Sequence, residues 1–259
     1  MDYGIAGKWA VVSAASRGLG RGCAESLAEA GANLVIGARG LEELEKTAES
    51  IRQRHAVEVI AVSGDVATEE GREGLLAAGP QPEILVTNAG GPPPGMWSDW
   101  GRSDFIAALD SNMLAPIDLM KRVLPGMIDN RWGRIVNITS MAVRAPIGVL
   151  GLSNSARTGL TGYVAGTSRQ VAGSGVTINN LLPGIHDTSR ADSLDRTAAR
   201  AEGCTQEEVR ARREKSIPVG RYGTAEEFGA MCAFLCSVHA GFIVGQNILL
   251  DGGSTNLSM

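Results

Sequence analysis

A strand, a loop of small residues and a helix are predicted near the start of the chain, and this stretch constrains the fold most. An apolar run that ends at Val12 is typical of a buried strand, and apolar residues then recur at helical spacing from Leu19 to Leu27. Gly18 and Gly20 stand between them, where missing side chains let a phosphate reach the N–H groups that begin a helix. This order predicts the first βαβ unit of a dinucleotide-binding domain.

Strand and helix patterns alternate along the rest of the chain. Strands are predicted over residues 33–38, 57–62, 84–86, 134–138, 176–182 and 247–250, and helices over 41–51, 105–124, 152–171 and 224–237. Pro116 should kink the second of these helices. The alternation predicts an α/β fold, a Rossmann-type doubly wound parallel sheet of about seven strands with helices on both faces. A length of 259 residues allows one or two domains, and without a linker we expect a single domain over residues 1–259.

The segment 185–216 follows a predicted strand end, and it is long, irregular and highly charged. Ligands of open α/β sheets bind beyond the carboxyl ends of the strands, so we expect a substrate lid here. Within it, residues 207–215 are predicted to form a charged helix, whose basic cluster would either meet a phosphate or form a solvated face.

Charge and composition exclude several classes of protein. A net charge of -4 gives no electrostatic case for nucleic acid or an anionic membrane, and no run approaches the roughly 20 apolar residues of a membrane span. The start of the chain shows no signal peptide. The 4 cysteines have no zinc-site spacing, so we expect no metal and a reducing, cytoplasmic location.

Seven motifs, in the same order along the chain, resemble those of the short-chain dehydrogenase/reductase family. The spacing S-A-x-x-x-G-x-G from Ser13 to Gly20 resembles the family's T-G-x-x-x-G-x-G loop. The resemblance covers essentially the whole chain, and residues 217–223 resemble a segment of its acyl-carrier-protein ketoreductase branch. The other motifs are Asp65 with Val66, Asn88-Ala89-Gly90, Asn112, a strand that ends at Ser140, Pro183-Gly184 with Thr188, and Asp251-Gly252-Gly253.

The resemblance implies a nicotinamide cofactor, and the residues indicate which one. NAD-selective sites usually place an acid after the second strand, whereas Arg39 stands there and Arg17 lies in the glycine loop. Guanidinium groups suit a 2′-phosphate, so we expect NADP(H) rather than NAD(H). The implied cofactor-binding residues are Ser13, Ser16, Arg17, Gly18, Leu19, Gly20, Arg39, Asp65, Val66, Asn88, Ala89, Gly90, Arg157, Pro183, Gly184 and Thr188.

The reaction centre departs from the family. Its Y-x-x-x-K motif corresponds to Ser153 and Arg157, because the following Gly159-Leu160 pair fixes the alignment. A serine hydroxyl is a far weaker acid than a phenol, and arginine cannot relay a proton. Ser140 and Asn112 keep part of the polar site. His186 is a candidate replacement acid, or else a loop histidine at the hinge of the lid.

The resemblance predicts an NADP(H)-dependent oxidoreductase of 3-oxoacyl reductase type, acting on a small carbonyl compound or secondary alcohol, with an atypical acid/base centre. Two alternatives stay open: an NADP(H)-binding sensor or assembly subunit without redox turnover, and a non-redox lyase or isomerase that reuses the pocket. The family usually pairs the helices near 105–127 and 152–171 across a two-fold axis, which implies a homotetramer or a homodimer.

Overall fold

A seven-stranded parallel sheet forms the centre of the molecule in this computed structural model, which describes residues 2–256. The strand order is β3-β2-β1-β4-β5-β6-β7. The strands are β1 (Trp9–Ser13), β2 (Asn33–Ala38), β3 (Val59–Ser63), β4 (Ile84–Thr87), β5 (Gly133–Ile138), β6 (Val176–Pro183) and β7 (Asn247–Leu250). The predicted Rossmann-type architecture is confirmed, and the third strand begins two residues later than predicted.

Helices cover both faces of the sheet. They are α1 (Gly18–Glu29), α2 (Leu41–Arg54), α3 (Glu69–Ala77), α4 (Arg102–Leu109), α5 (Ala115–Asp129), α6 (Gly151–Val171), α7 (Ser189–Glu202), α8 (Gln206–Ser216) and α9 (Ala225–Cys236).

Two apolar cores result, one on each face. Val12 packs in the core that also holds Leu27 and Phe228, whereas its neighbour Val11 packs with Leu119 and Leu160 on the other face. Because successive side chains along a strand point to opposite faces of the sheet, a continuous apolar run such as that of β1 contributes side chains to both cores.

The three helical cysteines lie in the first of these cores. Cys23 of α1 and Cys232 and Cys236 of α9 are fully buried free thiols. Hydrogen bonding among the thiols, together with burial, raises the pKa of Cys232 and Cys236 well above the usual value. They are small core residues rather than reactive groups.

Pro116, where the sequence predicts a kink, directly follows an irregular stretch of helix. A π-helical turn over Asp110–Leu114 joins α4 to α5, and Pro116 is in the first turn of α5. Proline has no N–H to donate to the carbonyl of Asn112 four residues earlier, which breaks the regular helical ladder there.

The segment 185–216 is more regular than predicted. It contains two helices, α7 and α8, each begun by a threonine whose side chain accepts a backbone N–H. The three arginines of α8 are paired within the segment: Arg210 with Asp187 and Glu214, Arg212 with Glu202, and Arg213 with the buried Asp195. These pairs favour the interpretation of α8 as a helix with a solvated face over its interpretation as a phosphate-binding site.

Candidate active site

The candidate site lies where the carboxyl ends of β1 and β4 meet, the point at which the strand order reverses. Ser13 joins these two ends, because its Oγ donates to the Asn88 carbonyl at 2.7 Å and accepts from the Asn88 N–H at 2.8 Å. The amide nitrogen of Asn88 also donates to the Ala14 carbonyl at 3.3 Å. The glycine loop and the Asn88-Ala89-Gly90 turn are therefore held as one unit.

Glycine is required at the base of this loop. A Cβ on Gly20 would collide with the Ala14 carbonyl and lie 2.9 Å from the Asn88 amide nitrogen. Gly18 has φ +58°, which suits glycine, and its open side faces the Thr188 methyl group. The N-termini of α1 and α7 thus lie close together, and the partial positive charge at these helix ends suits a diphosphate.

Ala14 takes the position of the family's first glycine and has φ 49°. A residue with a Cβ is strained in this left-handed region. The loop therefore keeps the glycine-type backbone although it lacks the glycine.

The residues expected around the adenosine end lie together at the ends of β2 and β3. The guanidinium of Arg39 is 4.0 Å from the Asp65 carboxylate and is 80% exposed, so it is available to a ligand. Arg17 is also exposed, directly before α1. Ser16 is fixed through its carbonyl, which accepts the Thr47 hydroxyl at 2.9 Å. Of the remaining predicted residues here, Leu19 and Val66 are half-buried.

Ser153 and Arg157 lie one turn apart on the inner face of α6, and both are buried. Arg157 Nε donates to Ser153 Oγ at 3.2 Å, and its Nη1 donates to the Ile138 carbonyl at the end of β5 at 2.6 Å. Ser140 follows two residues after Ile138, and its Oγ accepts from the Ala142 N–H at 3.1 Å. The structure therefore brings Ser140, Ser153 and Arg157 to the same strand end.

Asn112 lies in the π-helical turn and is buried. Its amide nitrogen donates to the Gly90 carbonyl at 3.4 Å and to Ser111 Oγ at 2.8 Å, while its Oδ1 has no partner among the described residues. Gly159 allows the turn to approach α6, because a Cβ there would collide with Met113 Sδ. A buried acceptor without a donor is costly, so Asn112 Oδ1 marks a place where a ligand or water would bind.

The Arg157 guanidinium has an unusual electrostatic environment. Burial, and after it the charge of Arg190, lowers the pKa of Arg157 to about 10. Arg157 remains protonated at neutral pH, so it supplies a fixed positive charge and no proton. Arg190, which the sequence analysis missed, donates to the Pro92 carbonyl at 2.7 Å. In the sequence, only its position two residues after Thr188 could have indicated that Arg190 belongs to the site.

His186 is buried beside β6, and its ring contacts differ from those expected of a replacement acid. The ring lies edge-on to Phe228 at 5.2 Å between centroids, and its Nδ1 is 3.3 Å from the Gly184 carbonyl. A Cβ on Gly223 would lie 2.8 Å from the ring. Burial lowers the pKa of His186, which keeps the imidazole neutral at pH 7. These contacts favour packing at the hinge of the lid, although the catalytic role stays a prediction.

Tyr163 and Tyr222, the two tyrosines that follow Ser153 in the sequence, have other partners. Tyr222 is buried, and its hydroxyl donates to the Asp195 carboxylate at 3.1 Å. Tyr163 packs against the core on the α5 and α6 face of the sheet. Within the described part of the chain, no group of three or more His, Cys, Asp or Glu side chains could hold a metal ion.

Residues 13–255 match a family model described as enoyl-(acyl carrier protein) reductase. The chain belongs to the short-chain dehydrogenase/reductase family. It is 30% identical over 250 residues to the NADPH-dependent reductase BacG of Bacillus subtilis, covering 95% of this chain and 96% of that one. It is also 30% identical to the 3-oxoacyl-[acyl-carrier-protein] reductase FabG of Aquifex aeolicus, over 98% of this chain and 99% of that one.

The fold is likewise shared with solved members of the family. The crystal structure of L-sorbose reductase from Gluconobacter frateurii, complexed with NADPH and L-sorbose, matches with a TM-score of 0.93. The two sequences are 26% identical, and the match covers 99% of this chain and 100% of that one. Among residues 2–256, no helix is both long and apolar enough to cross a membrane.

Proposed function

We propose that this protein is an NADP(H)-dependent oxidoreductase that interconverts a small carbonyl compound and its alcohol, with an atypical acid/base centre. The observation that carries the proposal is the joining of the glycine loop to Asn88 directly beside the strand end that holds Ser140, Ser153 and Arg157. The relatives BacG and FabG are named as reductases, and BacG as NADPH-dependent.

The proposed cofactor site fits its ligand residue by residue. Gly20 lets the glycine loop pack closely on Ala14 and Asn88, the N-terminus of α1 would bind the diphosphate, and the exposed Arg39 and Arg17 match the 2′-phosphate. When bound, NADPH supplies the hydride. The turn that contains Pro183, Gly184 and Thr188 would hold the nicotinamide end, as the family resemblance implies.

The chain's own residues then act on the carbonyl oxygen. Arg157 donates to the Ser153 oxygen, which leaves the Ser153 proton free to point at another acceptor. Ser153 and Ser140 therefore orient and polarise the carbonyl by hydrogen bonds, and the neighbouring charge of Arg157 stabilises negative charge that develops on its oxygen. Without a phenol of pKa near 10, the final proton comes from water, and turnover should be slow.

The experiment is a measurement of NADPH oxidation over a panel of ketones and aldehydes, with NADPH and NADH binding measured separately by calorimetry. Slow, saturable oxidation with a carbonyl substrate is expected. Tight NADPH binding with no turnover of any carbonyl would instead favour the sensor or assembly role. Conversion of a substrate without change in the cofactor would favour a lyase or isomerase.

We also propose that α7 and α8 form the lid of the substrate cleft, and that the protein forms a homodimer or homotetramer in the cytoplasm. Phe105, Ile106 and Leu114 are exposed on α4 and the π-helical turn, which supports an interface there. Free cysteines and no disulfide among the described residues are in keeping with a reducing compartment. Sedimentation at micromolar concentration tests the assembly, and a monomer would contradict it.

A further inference from the structure

The chain has two buried arginines, and they differ in how their charge is compensated. Arg134 donates to three backbone carbonyls, those of Ser237, Gly133 and Gly175, and its guanidinium lies 4.7 Å from the Trp132 ring centroid. Arg157 has only Ser153 Oγ and the Ile138 carbonyl among the described residues. Burying a cation costs free energy unless partners compensate it, so Arg157 is the less satisfied of the two.

A second positive charge, that of Arg190, lies at the same edge of the sheet, near enough to lower the pKa of Arg157. Arg190 is in the first turn of α7 and reaches across to the loop after β4, where it donates to the Pro92 carbonyl and lies over Gly91. As a residue Arg190 is exposed, yet its guanidinium is surrounded closely enough for burial to lower its pKa. The N-terminus of α7 adds a partial positive charge on the same side.

Within residues 2–256, no carboxylate lies within 4.0 Å of Arg157 or Arg190. Three acids on neighbouring elements are paired elsewhere: Asp187 with Arg210, Asp195 with Arg213 and Tyr222, and Glu227 with Arg221. Asp192, in the first turn of α7 with Arg190, makes no ion pair within 4.0 Å among the described residues. The negative charges of the proposed cofactor also have other partners, since Arg39 and the start of α1 are assigned to its phosphates. The nicotinamide end brings no negative charge, so the compensating anion has to come with the substrate.

We propose that Arg157, buried at the end of β5, and Arg190, in the first turn of α7, form a subsite for an anionic group on the substrate. The substrate is then a small carbonyl compound that bears a carboxylate or a phosphate, because a planar guanidinium binds either group through paired hydrogen bonds. The carbonyl group of this substrate rests on the proposed function, whereas its anionic group rests on the two arginines.

The test compares matched anionic and neutral substrates in the R190M variant. Acetoacetate is paired with its methyl ester, and dihydroxyacetone phosphate with dihydroxyacetone, so the two pairs separate carboxylate from phosphate. In R190M, kcat/KM for the preferred anion should fall about 10- to 100-fold, the range for loss of a charge-assisted hydrogen bond. In the same variant, kcat/KM for the neutral substrate of the pair should change less than about threefold. R196M, at an exposed arginine of the same helix, is the matched control and should keep the anion preference.

Binding is measured in parallel, because it does not depend on turnover. Calorimetry of the complex with NADP⁺ gives Kd for each anion, and calorimetry of the free protein gives Kd for NADPH.

The outcomes separate the subsite from the proposed function. If the anion binds in an Arg190-dependent manner but no carbonyl is reduced, the anion subsite is supported and the proposed function is wrong. If neutral substrates are turned over as well as anionic ones and R190M changes neither, the subsite is wrong and the function stands. A weaker NADPH affinity in R190M with the anion preference unchanged would assign Arg190 to the cofactor and overturn the proposal. An R190Q variant, which keeps a polar side chain of similar length, repeats each comparison.

Discussion

Arg157 donates a hydrogen bond from its Nε to Ser153 Oγ, one turn earlier on α6, at 3.2 Å. Two residues that stand where the family has a tyrosine and a lysine are therefore coupled to each other. In the proposed reaction centre the pair supplies a positive charge but no acid, because a guanidinium does not release its proton at neutral pH. We therefore propose that this centre acts through orientation and charge rather than proton donation.

Restoring the family pair should raise carbonyl reduction. The double variant S153Y/R157K regains a phenol and an ammonium, and kcat should rise by up to about 10²–10⁴-fold, the usual contribution of a positioned acid. S153Y alone should gain less, because Arg157 cannot complete the proton relay. Steady-state NADPH oxidation with the same ketones measures both. Turnover of about 1–10³ s⁻¹ by the unmodified protein would show that its centre is not impaired.

Removing the charge at Arg39 should change cofactor preference. In R39S the Kd for NADPH should rise about tenfold or more, while the Kd for NADH changes little, because only NADPH carries the 2′-phosphate. Fluorescence titration with both cofactors measures the ratio. K46A, a lysine variant on the exposed face of α2, should leave the ratio unchanged. Tighter binding of NADH than NADPH by the unmodified protein would refute the assignment.

Ala14→Gly should stabilise the protein. The left-handed backbone at φ 49° costs alanine about 1–2 kcal/mol, whereas glycine adds about 0.4–1 kcal/mol of unfolded-state entropy. The free energy of unfolding should therefore increase by up to about 1 kcal/mol in urea titrations. Ala15→Gly is the control, because the buried Ala15 lacks a positive φ and its change should destabilise. An unfolding midpoint that falls in A14G would contradict this account of the loop.

Alkaline pH should weaken the contact between the lid and the body. Burial, and after it the Asp195 carboxylate, raises the pKa of Tyr222 to about 12. Since the folded pKa exceeds the usual value of 10, the stabilising contribution is complete below pH 10 and is lost as the pH rises toward 12. The loss is up to about 2–3 kcal/mol in the free energy of unfolding. Tyr222→Phe should flatten this part of the pH profile, and an unchanged slope would exclude Tyr222 as its source.

His186→Asn separates packing from catalysis. If the ring serves to pack against Phe228 and Gly223, the variant should lower Tm by several degrees and leave kcat for reduced substrates within about threefold. Calorimetry and steady-state kinetics on the same preparation give both values. Loss of activity at unchanged Tm would instead identify His186 as the replacement acid.

The sequence by itself determined the architecture, and it predicted the departure at the proposed reaction centre. Period-2 and period-3.6 patterns are local, so strands β2 and β7 were predicted with their observed bounds, and α6 began within one residue of its predicted start. The glycine loop could also be recognised, because a phosphate-binding turn needs small residues at fixed spacing. The assignment of Ser153 and Arg157 to the family's tyrosine and lysine positions followed from the Gly159-Leu160 pair alone, and it stays a prediction.

Only the tertiary structure decided which of these residues have partners. Arg190 and Pro92 are 98 residues apart, and no periodicity predicts that they meet. The same holds for the packing of His186 against Phe228 and for the unpartnered Asn112 Oδ1. Burial and charge compensation are set by contacts between elements distant in the chain. The arginine pair therefore became visible only once α6, α7 and the loop after β4 had been brought to one edge of the sheet.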